Sequence, residues 1–183
     1  MKAAHRHYGR KRYFLGASLT SDEQRTLSEP SVPIVVPRKD TTYLYKCFGA
    51  WGLSAKPFRW HRFQTWFHSV RKSPEFRPYV PGVLPDKWYR QFEREGTADN
   101  MWEMWLIHYM VRKKLYGLYN NLPRYNGDGK SCLCINRREV GLHNTYKGRE
   151  DFCELLRDWK EEYVVFPDVT VKLDWNGKAV LDY

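Results

Sequence analysis

The stretch ADNMWEMWLIHYMVRKKLYGLYN, residues 98–120, has the longest helical repeat of apolar side chains in the sequence. Its apolar positions recur every three or four residues, which is the spacing of one face of an α-helix. Acidic side chains stand near its start and basic ones follow in its second half, an order that matches the helix dipole. We therefore expect one helix about 30 Å long that serves as the spine of the fold. The expected apolar stripe comprises Met101, Met104, Trp105, His108, Val111, Leu115, Leu118 and Tyr119.

A second apolar set, Trp102, Ile107 and Tyr109, lies on the same stretch but away from this stripe. A helix that is apolar on more than one face is buried on more than one face. A chain of 183 residues has a limited core with which to cover both faces. We expect the second face to meet another protein, with Trp102 and Tyr109 in the contact.

Three further helices are indicated on either side of this stretch. Pro57 suits a first helical position and opens a helix that ends before Pro74. A short helix is expected over residues 87–95, because Gly96 follows it as a helix-ending glycine. Residues 149–163 repeat the helical pattern of apolar side chains.

The end of the sequence has the pattern of a β-hairpin. Apolar and polar residues alternate over residues 164–175, and Asn176-Gly177 separates them from a second β-rich run. Asn-Gly is the strongest short-range hairpin signal, because both central positions of that turn need positive φ. Residues 131–135 suit a short strand, whereas residues 43–55 fit a short helix or an irregular packed segment.

Together these patterns predict an α+β fold. Its small helical core, of two or three amphipathic helices with a C-terminal β-hairpin, occupies one domain of residues 43–183. Residues 1–42 are expected to form a long basic, proline-containing arm that is extended and lies outside the domain. The arm has little apolar surface to offset its ordering entropy, so we expect partners to order it.

The net charge of +10 belongs to the first part of the sequence. Residues 1–85 hold 15 Lys and Arg against 5 Asp and Glu, whereas residues 86–183 hold 16 of each class. Such asymmetry favours an acidic partner, which can be RNA, anionic lipid headgroups or an acidic protein surface. The candidate partner- and anion-binding residues are Arg6, Arg10, Lys11, Arg12, Arg59, Arg62, Arg71 and Lys72.

Aromatic side chains are interleaved with these cations in residues 8–14 and 58–63. Single-stranded nucleic acid, membrane interfaces and protein interfaces all use this mixture, and the spacing does not separate them. The expected interface aromatics are Tyr13, Phe14, Trp60, Trp102 and Tyr109.

The first 21 residues are basic, rich in hydroxyl groups and free of acids, a composition typical of a mitochondrial transit segment. A basic binding arm in any compartment has the same composition. The longest stretches without a charged residue span nine residues, too few for a membrane-spanning helix. We therefore predict a mitochondrial protein, on the matrix side or associated with the inner membrane, with no transmembrane helix of its own.

Four residues offer possible zinc ligands, but their spacing lies outside the usual zinc patterns. They are Cys132, Cys134, His143 and Cys153. We expect these cysteines and Cys47 to be reduced and free of metal. No cofactor is predicted.

Neither the histidines nor the sequence motifs supply a residue with an evident catalytic role. His61 and His68 share a face of the helix that starts at Pro57, where we expect them at the surface. The sequence contains no phosphate-binding loop, no hydrolase motif and no metalloprotease motif. No residue can be assigned a catalytic role, and we expect a protein that is not an enzyme.

These observations are typical of a non-catalytic accessory or structural subunit of a large assembly. The transit-like N-terminus favours a mitochondrial inner-membrane bioenergetic assembly, either a respiratory-chain complex or ATP synthase, with contacts to other subunits and to lipid headgroups. The alternative is a mitochondrial ribosomal protein that binds rRNA through its basic N-terminal half. A small nucleic-acid-modifying enzyme is the second alternative. Salt-sensitive binding to phosphate distinguishes the ribosomal alternative from the first.

Overall fold

The computed structural model describes residues 1–18, 26–37, 41–47, 53–121 and 165–180. Within these ranges, helices pack on a mixed five-stranded sheet, so this part of the chain is α+β, as predicted. The helices are α1 (Lys2–Tyr8), α2 (Pro57–Val70), α3 (Leu84–Arg94) and α4 (Trp102–Lys113), with a 3-10 turn at Ala98–Asn100. The strands are β1 (Phe14–Ser18), β2 (Thr42–Tyr45), β3 (Leu53–Ala55), β4 (Tyr116–Asn120) and β5 (Lys172–Leu173).

The sheet has the strand order β3-β1-β4-β2-β5. β1 lies parallel to β4 and antiparallel to β3, while β2 lies antiparallel to β4 and parallel to β5. The strands come from both ends and the middle of the chain, so the sheet is not the C-terminal element expected from the sequence. Within residues 165–180, the expected hairpin region holds only β5 and one antiparallel bridge between Leu173 and Ala179.

Residues 98–120 do not form the single long helix that their repeat predicts. The chain forms the 3-10 turn and then α4, and it leaves the helix at Lys114, whose φ of 52° is left-handed. The next residues form β4, in which Tyr119 pairs with Tyr43 of β2, their rings stacked with centroids 5.7 Å apart. Aromatic side chains suit a buried strand. Pairing within the sheet therefore overrides the helical repeat after Lys114.

Residues 1–18 do not form the extended arm that their composition predicts. They form α1 and β1, and β1 occupies an interior position of the sheet. Phe14 and Leu15 have no exposed surface and belong to two separate core clusters, because successive strand residues point to opposite faces. Tyr8 is fully buried, and its hydroxyl forms a hydrogen bond of 2.6 Å with Thr170 Oγ1. Burial of these apolar residues between the cations folds the segment onto its own chain.

α4 is covered by other parts of the same chain on the face that was expected to meet a partner. Tyr109 is 4% exposed, and its ring packs against those of Phe63 and Trp66 on α2. Trp102 is half-buried, and its ring meets that of Trp60 edge to face with centroids 5.8 Å apart. The aromatic side chains of α2 therefore bury Tyr109 and cover part of Trp102, so Tyr109 needs no second protein to cover it.

Two of the predicted helices are present with small changes. α2 begins at Pro57, as predicted, and ends at Val70, four residues before Pro74. α3 begins at Leu84, three residues before the expected start, and ends just before Gly96. Residues 43–55, which the sequence left undecided, contribute β2 and β3.

Several predictions fall on parts of the chain that the structure does not describe. The strand expected over residues 131–135, the helix expected over residues 149–163 and the four possible zinc ligands all lie outside the described residues. None of the helices in the described ranges has the length and the apolar character needed to cross a membrane.

Candidate functional site

Two segments that contain no Asp or Glu meet on one side of the molecule. Residues 1–18 and residues 53–72 together carry ten Lys and Arg side chains and no Asp or Glu. They touch where Arg59 Nη2 on α2 donates a hydrogen bond of 2.6 Å to the carbonyl of Arg12. We call the surface formed by these two segments the basic face.

Strand pairing holds the two segments of the basic face together. β1 and β3 pair antiparallel, with Gly16 opposite Ala55. A Cβ atom at Gly16 would lie 2.4 Å from the Ser54 carbonyl oxygen, so the strands approach this closely only because the residue is glycine. Beyond the end of β3, Lys56 Nζ donates a hydrogen bond to the carbonyl of Gly9.

Tight turns between α1 and β1 present three consecutive cations. The Lys11 N–H donates to the Tyr8 carbonyl at 2.9 Å, and the Phe14 N–H donates to the Lys11 carbonyl at 3.2 Å. Arg10, Lys11 and Arg12 are all exposed. Because Tyr8 and Phe14 on either side are fully buried, the core fixes the position of the turns.

The first turn of α2 adds an aromatic ring and more positive charge to the basic face. Phe58 is 59% exposed, and the Arg62 guanidinium lies over its ring, 5.5 Å from the centroid. The residue before the helix is Lys56, and the first turn contains no acid. The positive side chains therefore add to the positive electrostatic potential at the N-terminus of the helix.

Arg59 is fixed by the main chain and keeps its full charge. Its hydrogen bond goes to a carbonyl, which holds the guanidinium without neutralising it. Its Nε is buried and has no hydrogen-bond partner among the described residues. No ion pair within the described part of the chain involves a cation of the basic face.

The structure brings some of the predicted anion-binding residues together and separates others. Arg6 is exposed on α1. Arg71 and Lys72 lie at the other end of α2, about 20 Å from its first turn, and the Arg71 guanidinium lies over the ring of Phe67. The start of α2 carries Arg59 and Arg62, and the Arg59 hydrogen bond to the Arg12 carbonyl joins it to the turns that carry Arg10, Lys11 and Arg12.

The predicted interface aromatics are mostly engaged within the chain. Phe14 is fully buried in β1, and Tyr109 is buried against α2. Tyr13 is half-buried, with the Lys172 ammonium 4.1 Å from its ring centroid. Trp60 and Trp102 are half-buried against each other.

The exposed aromatic side chain of Phe58 on the basic face is not among the interface aromatics predicted from the sequence. The other aromatic residues of α2 follow the buried stripe, and Phe58 lies about 140° around the helix from Phe63. That offset from the stripe is the sequence signal that identifies it as an outward-facing ring. His61 and His68 are exposed on α2, as predicted.

Cys47 is buried in the main core. The pKa of its thiol is raised to about 12, chiefly by burial, with Lys46 lowering the pKa and the carboxylate of Asp174 raising it to smaller extents. The thiol is therefore neutral at physiological pH and unsuited to nucleophilic attack. Within the described ranges, no group of three or more His, Cys, Asp or Glu side chains is arranged to hold a metal ion.

A second charged cluster lies on α3 and the loop before it, and we call Arg77, Tyr79, Asp86, Arg90 and Glu93 the α3 cluster. Asp86 is 6% exposed and accepts hydrogen bonds of 2.7 Å from the Val80 N–H and from Arg90 Nε. Glu93 accepts from the Tyr79 hydroxyl and from Arg77 Nε. Four of these side chains line an open cleft of about 780 Å³.

The α3 cluster balances its own charges. The hydrogen bond from Tyr79, and then that from Arg77, hold the pKa of Glu93 below its ordinary value. The same bond raises the pKa of the Tyr79 hydroxyl. The hydrogen bond to Asp86 raises the pKa of Arg90, whose guanidinium lies 3.6 Å from the Tyr79 ring centroid. Each charge is used within the protein, so the cluster acts as a structural network.

Comparison of the chain with protein-family models, with curated proteins and with solved structures finds no match. The function therefore has to be inferred from the site itself.

Proposed function

We propose that this protein is a non-catalytic RNA-binding protein that docks on the phosphate backbone through the basic face. The observation that carries the proposal is the contact between two acid-free segments, made by Arg59 with the main chain of Arg12. Cations that are far apart in the sequence thereby share one surface. Such a surface attracts a polyanion and releases its counterions on binding.

The geometry of the cations suits phosphate oxygens. The Arg59 side chain is held by its hydrogen bond to the Arg12 carbonyl, and the main chain of Arg12 is held by the turns and by strand pairing, so little loop freedom is lost when a ligand binds. Guanidinium groups match the oxygens of phosphate through paired hydrogen bonds. The charge of the basic face also stays available, because none of the ion pairs found among the described residues involves it.

RNA fits this surface better than a membrane does. Among the described residues, the large apolar side chains exposed on the basic face are Phe58 and Met1. A helix that lies in a membrane interface buries a broad apolar face together with its cations. The outward face of α2 instead carries polar residues between its cations, among them His61, Thr65 and His68.

Among the functions expected from the sequence, we favour the RNA-binding alternative. Both the accessory-subunit and the ribosomal hypotheses placed the basic N-terminal part on a partner, and the ribosomal one used the basic N-terminal half as a whole. Residues 1–18 fold into the core and join residues 53–72 in one basic surface, which supports the RNA alternative. The mitochondrial location and the absence of catalysis stay predictions. The proposal names no particular RNA assembly.

Salt-dependent RNA binding by a matched pair of double variants tests the proposal. Arg10→Glu with Lys11→Glu reverses two exposed cations of the basic face. Arg94→Glu with Lys178→Glu makes the same change in net charge at exposed positions on α3 and in the C-terminal turn. Binding of a labelled oligoribonucleotide is measured by fluorescence anisotropy over a range of salt concentrations.

We expect the first double variant to lose at least about tenfold in RNA affinity, while the second stays near the wild type. The slope of log K against log salt should fall by about 0.7 for each phosphate of a single strand that the variant no longer neutralises. Equal reductions in both variants would show that net charge alone acts and that the basic face is not the site. Binding to vesicles containing anionic lipid without binding to RNA would refute the proposal in favour of a membrane surface.

A further inference from the structure

We infer that the basic face binds unpaired nucleotides and that one base stacks on the ring of Phe58. The inference rests on the proposed function, since it takes the phosphate-binding cations as given. It adds the chemical class of the ligand, a single strand with accessible bases, and the side chain that recognises it.

The exposure of Phe58 sets it apart from the other rings on its helix. Phe63 is buried, while Trp60, Trp66 and Phe67 are half-buried against α4 and its neighbours. Phe58 is 59% exposed, on the side of α2 away from this packing. A ring left in water at this position contributes little to the core, but it offers a flat apolar surface to a ligand.

The surroundings of the ring suit a nucleotide. The Arg62 guanidinium lies over the ring at 5.5 Å, which limits the orientations that the ring can take. The next residue, Arg59, is anchored on the Arg12 carbonyl and adds a second positive charge to the same turn of α2. A base on Phe58 would therefore have cations nearby for the phosphates that flank it.

A stacked base must come from an unpaired strand. In a duplex, each base is already stacked between its neighbours, and A-form RNA is recognised by shape and backbone. Proteins that hold single strands combine a positively charged surface with aromatic rings on which bases stack. The basic face combines positive charge and an aromatic ring at the start of α2, where the Arg62 guanidinium lies over the Phe58 ring. Because every base has a π-face, we expect little preference among sequences.

The test compares three ligands of equal length: an oligoribonucleotide single strand, the corresponding duplex and an abasic ribose-phosphate strand. Phe58→Ala removes the ring, Phe58→Leu keeps an apolar side chain without a π-face, and Phe58→Trp keeps a π-face. Trp88→Ala, on the exposed side of α3, is the matched control because Trp88 is 45% exposed and lies off the basic face.

We expect Phe58→Ala and Phe58→Leu to lose about fivefold to a hundredfold in affinity for the single strand. Affinity for the duplex and for the abasic strand should stay unchanged. Phe58→Trp should retain affinity for the single strand and show additional tryptophan quenching on binding, and Trp88→Ala should behave as the wild type.

The possible failures can be told apart. If the wild type binds none of the three ligands, the proposed function fails and the inference fails with it. If the wild type binds through Arg10 and Lys11 but Phe58→Ala keeps its affinity for the single strand, the inference fails and the proposed function stands. Equal reductions for single strand, duplex and abasic strand would also overturn the inference, because stacking cannot contribute to a ligand that lacks bases. Circular dichroism and thermal melting establish that each variant is folded.

Discussion

The basic face and the α3 cluster are built from similar side chains and differ in how their charges are satisfied. In the α3 cluster, Arg77 donates to Glu93 and Arg90 to Asp86. On the basic face, Arg59 donates to a carbonyl and Arg62 lies over a ring, so neither charge is cancelled. The number of arginines does not distinguish the two regions. They differ in the group that each arginine contacts.

The difference also explains why the two regions suit different tasks. A positively charged group that is paired with a carboxylate stabilises the fold. The two charges largely cancel, so the pair exerts only a weak electric field on a ligand. A charged group held by a carbonyl or a ring is positioned without neutralisation, and its field extends into the solvent. We therefore assign stability to the α3 cluster and ligand binding to the basic face.

The largest effect is expected from the core strand that carries the basic face. Phe14→Ala removes a fully buried ring and should lower the free energy of unfolding by about 3–5 kcal/mol, measured by denaturant titration. Phe58→Ala is the matched control: it removes the same side chain from an exposed position and should change stability by no more than about 0.5 kcal/mol. Similar effects in both variants would contradict the placement of β1 in the interior of the sheet.

A smaller effect is expected at the centre of the α3 cluster. Asp86→Ala leaves the buried Val80 N–H without an acceptor and should cost about 1–3 kcal/mol of unfolding free energy. Asp99→Ala, at an exposed position of the 3-10 turn, is the control and should have little effect. RNA affinity of the folded Asp86→Ala protein should equal that of the wild type. A reduced affinity there would mean that the two regions are coupled.

The smallest effect is expected when the pH is lowered. The pKa of Glu93 is lowered in the folded state, so its contribution to stability is present above the ordinary value of 4.5 and is lost as the pH falls through the lowered pKa. The pair with Arg77 is exposed to solvent screening, which keeps the contribution small. Glu93→Gln should therefore be slightly less stable than the wild type at neutral pH and equally stable in acid. A stability difference that persists in acid would assign the effect to something other than charge.

The sequence predicted the local features of the fold well. Pro57 marks the start of α2 because its ring suits a first helical position and lacks the N–H that would be left unpaired there. Arg10, Lys11, Arg12, Arg59 and Arg62, which the sequence analysis proposes for anion binding, belong to the two segments that form the basic face, and their role in binding stays a prediction. The prediction failed where the outcome depended on distant parts of the chain. No local signal shows that Phe14 lies between two strands that follow much later in the chain, or that Tyr109 is covered by α2.

Residues 115–120 illustrate the same limit. Their tyrosines and leucines fit the repeat of the preceding helix and fit a buried strand equally well. The strand forms because β1 and β2 provide pairing partners on both sides, and a helix there would leave those partners unpaired.

The sequence by itself determined the composition of the basic face, since the acid-free segments, their cations and the position of Phe58 on α2 can all be read along the chain. It also specified the left-handed turn residue Gly177, whose φ of 76° favours glycine. Only the tertiary structure decided that the two acid-free segments form one surface. The physical reason is that pairing of β1 with β3 and burial of Tyr8 and Phe14 are long-range interactions, whose free energy exists only when the whole sheet is assembled.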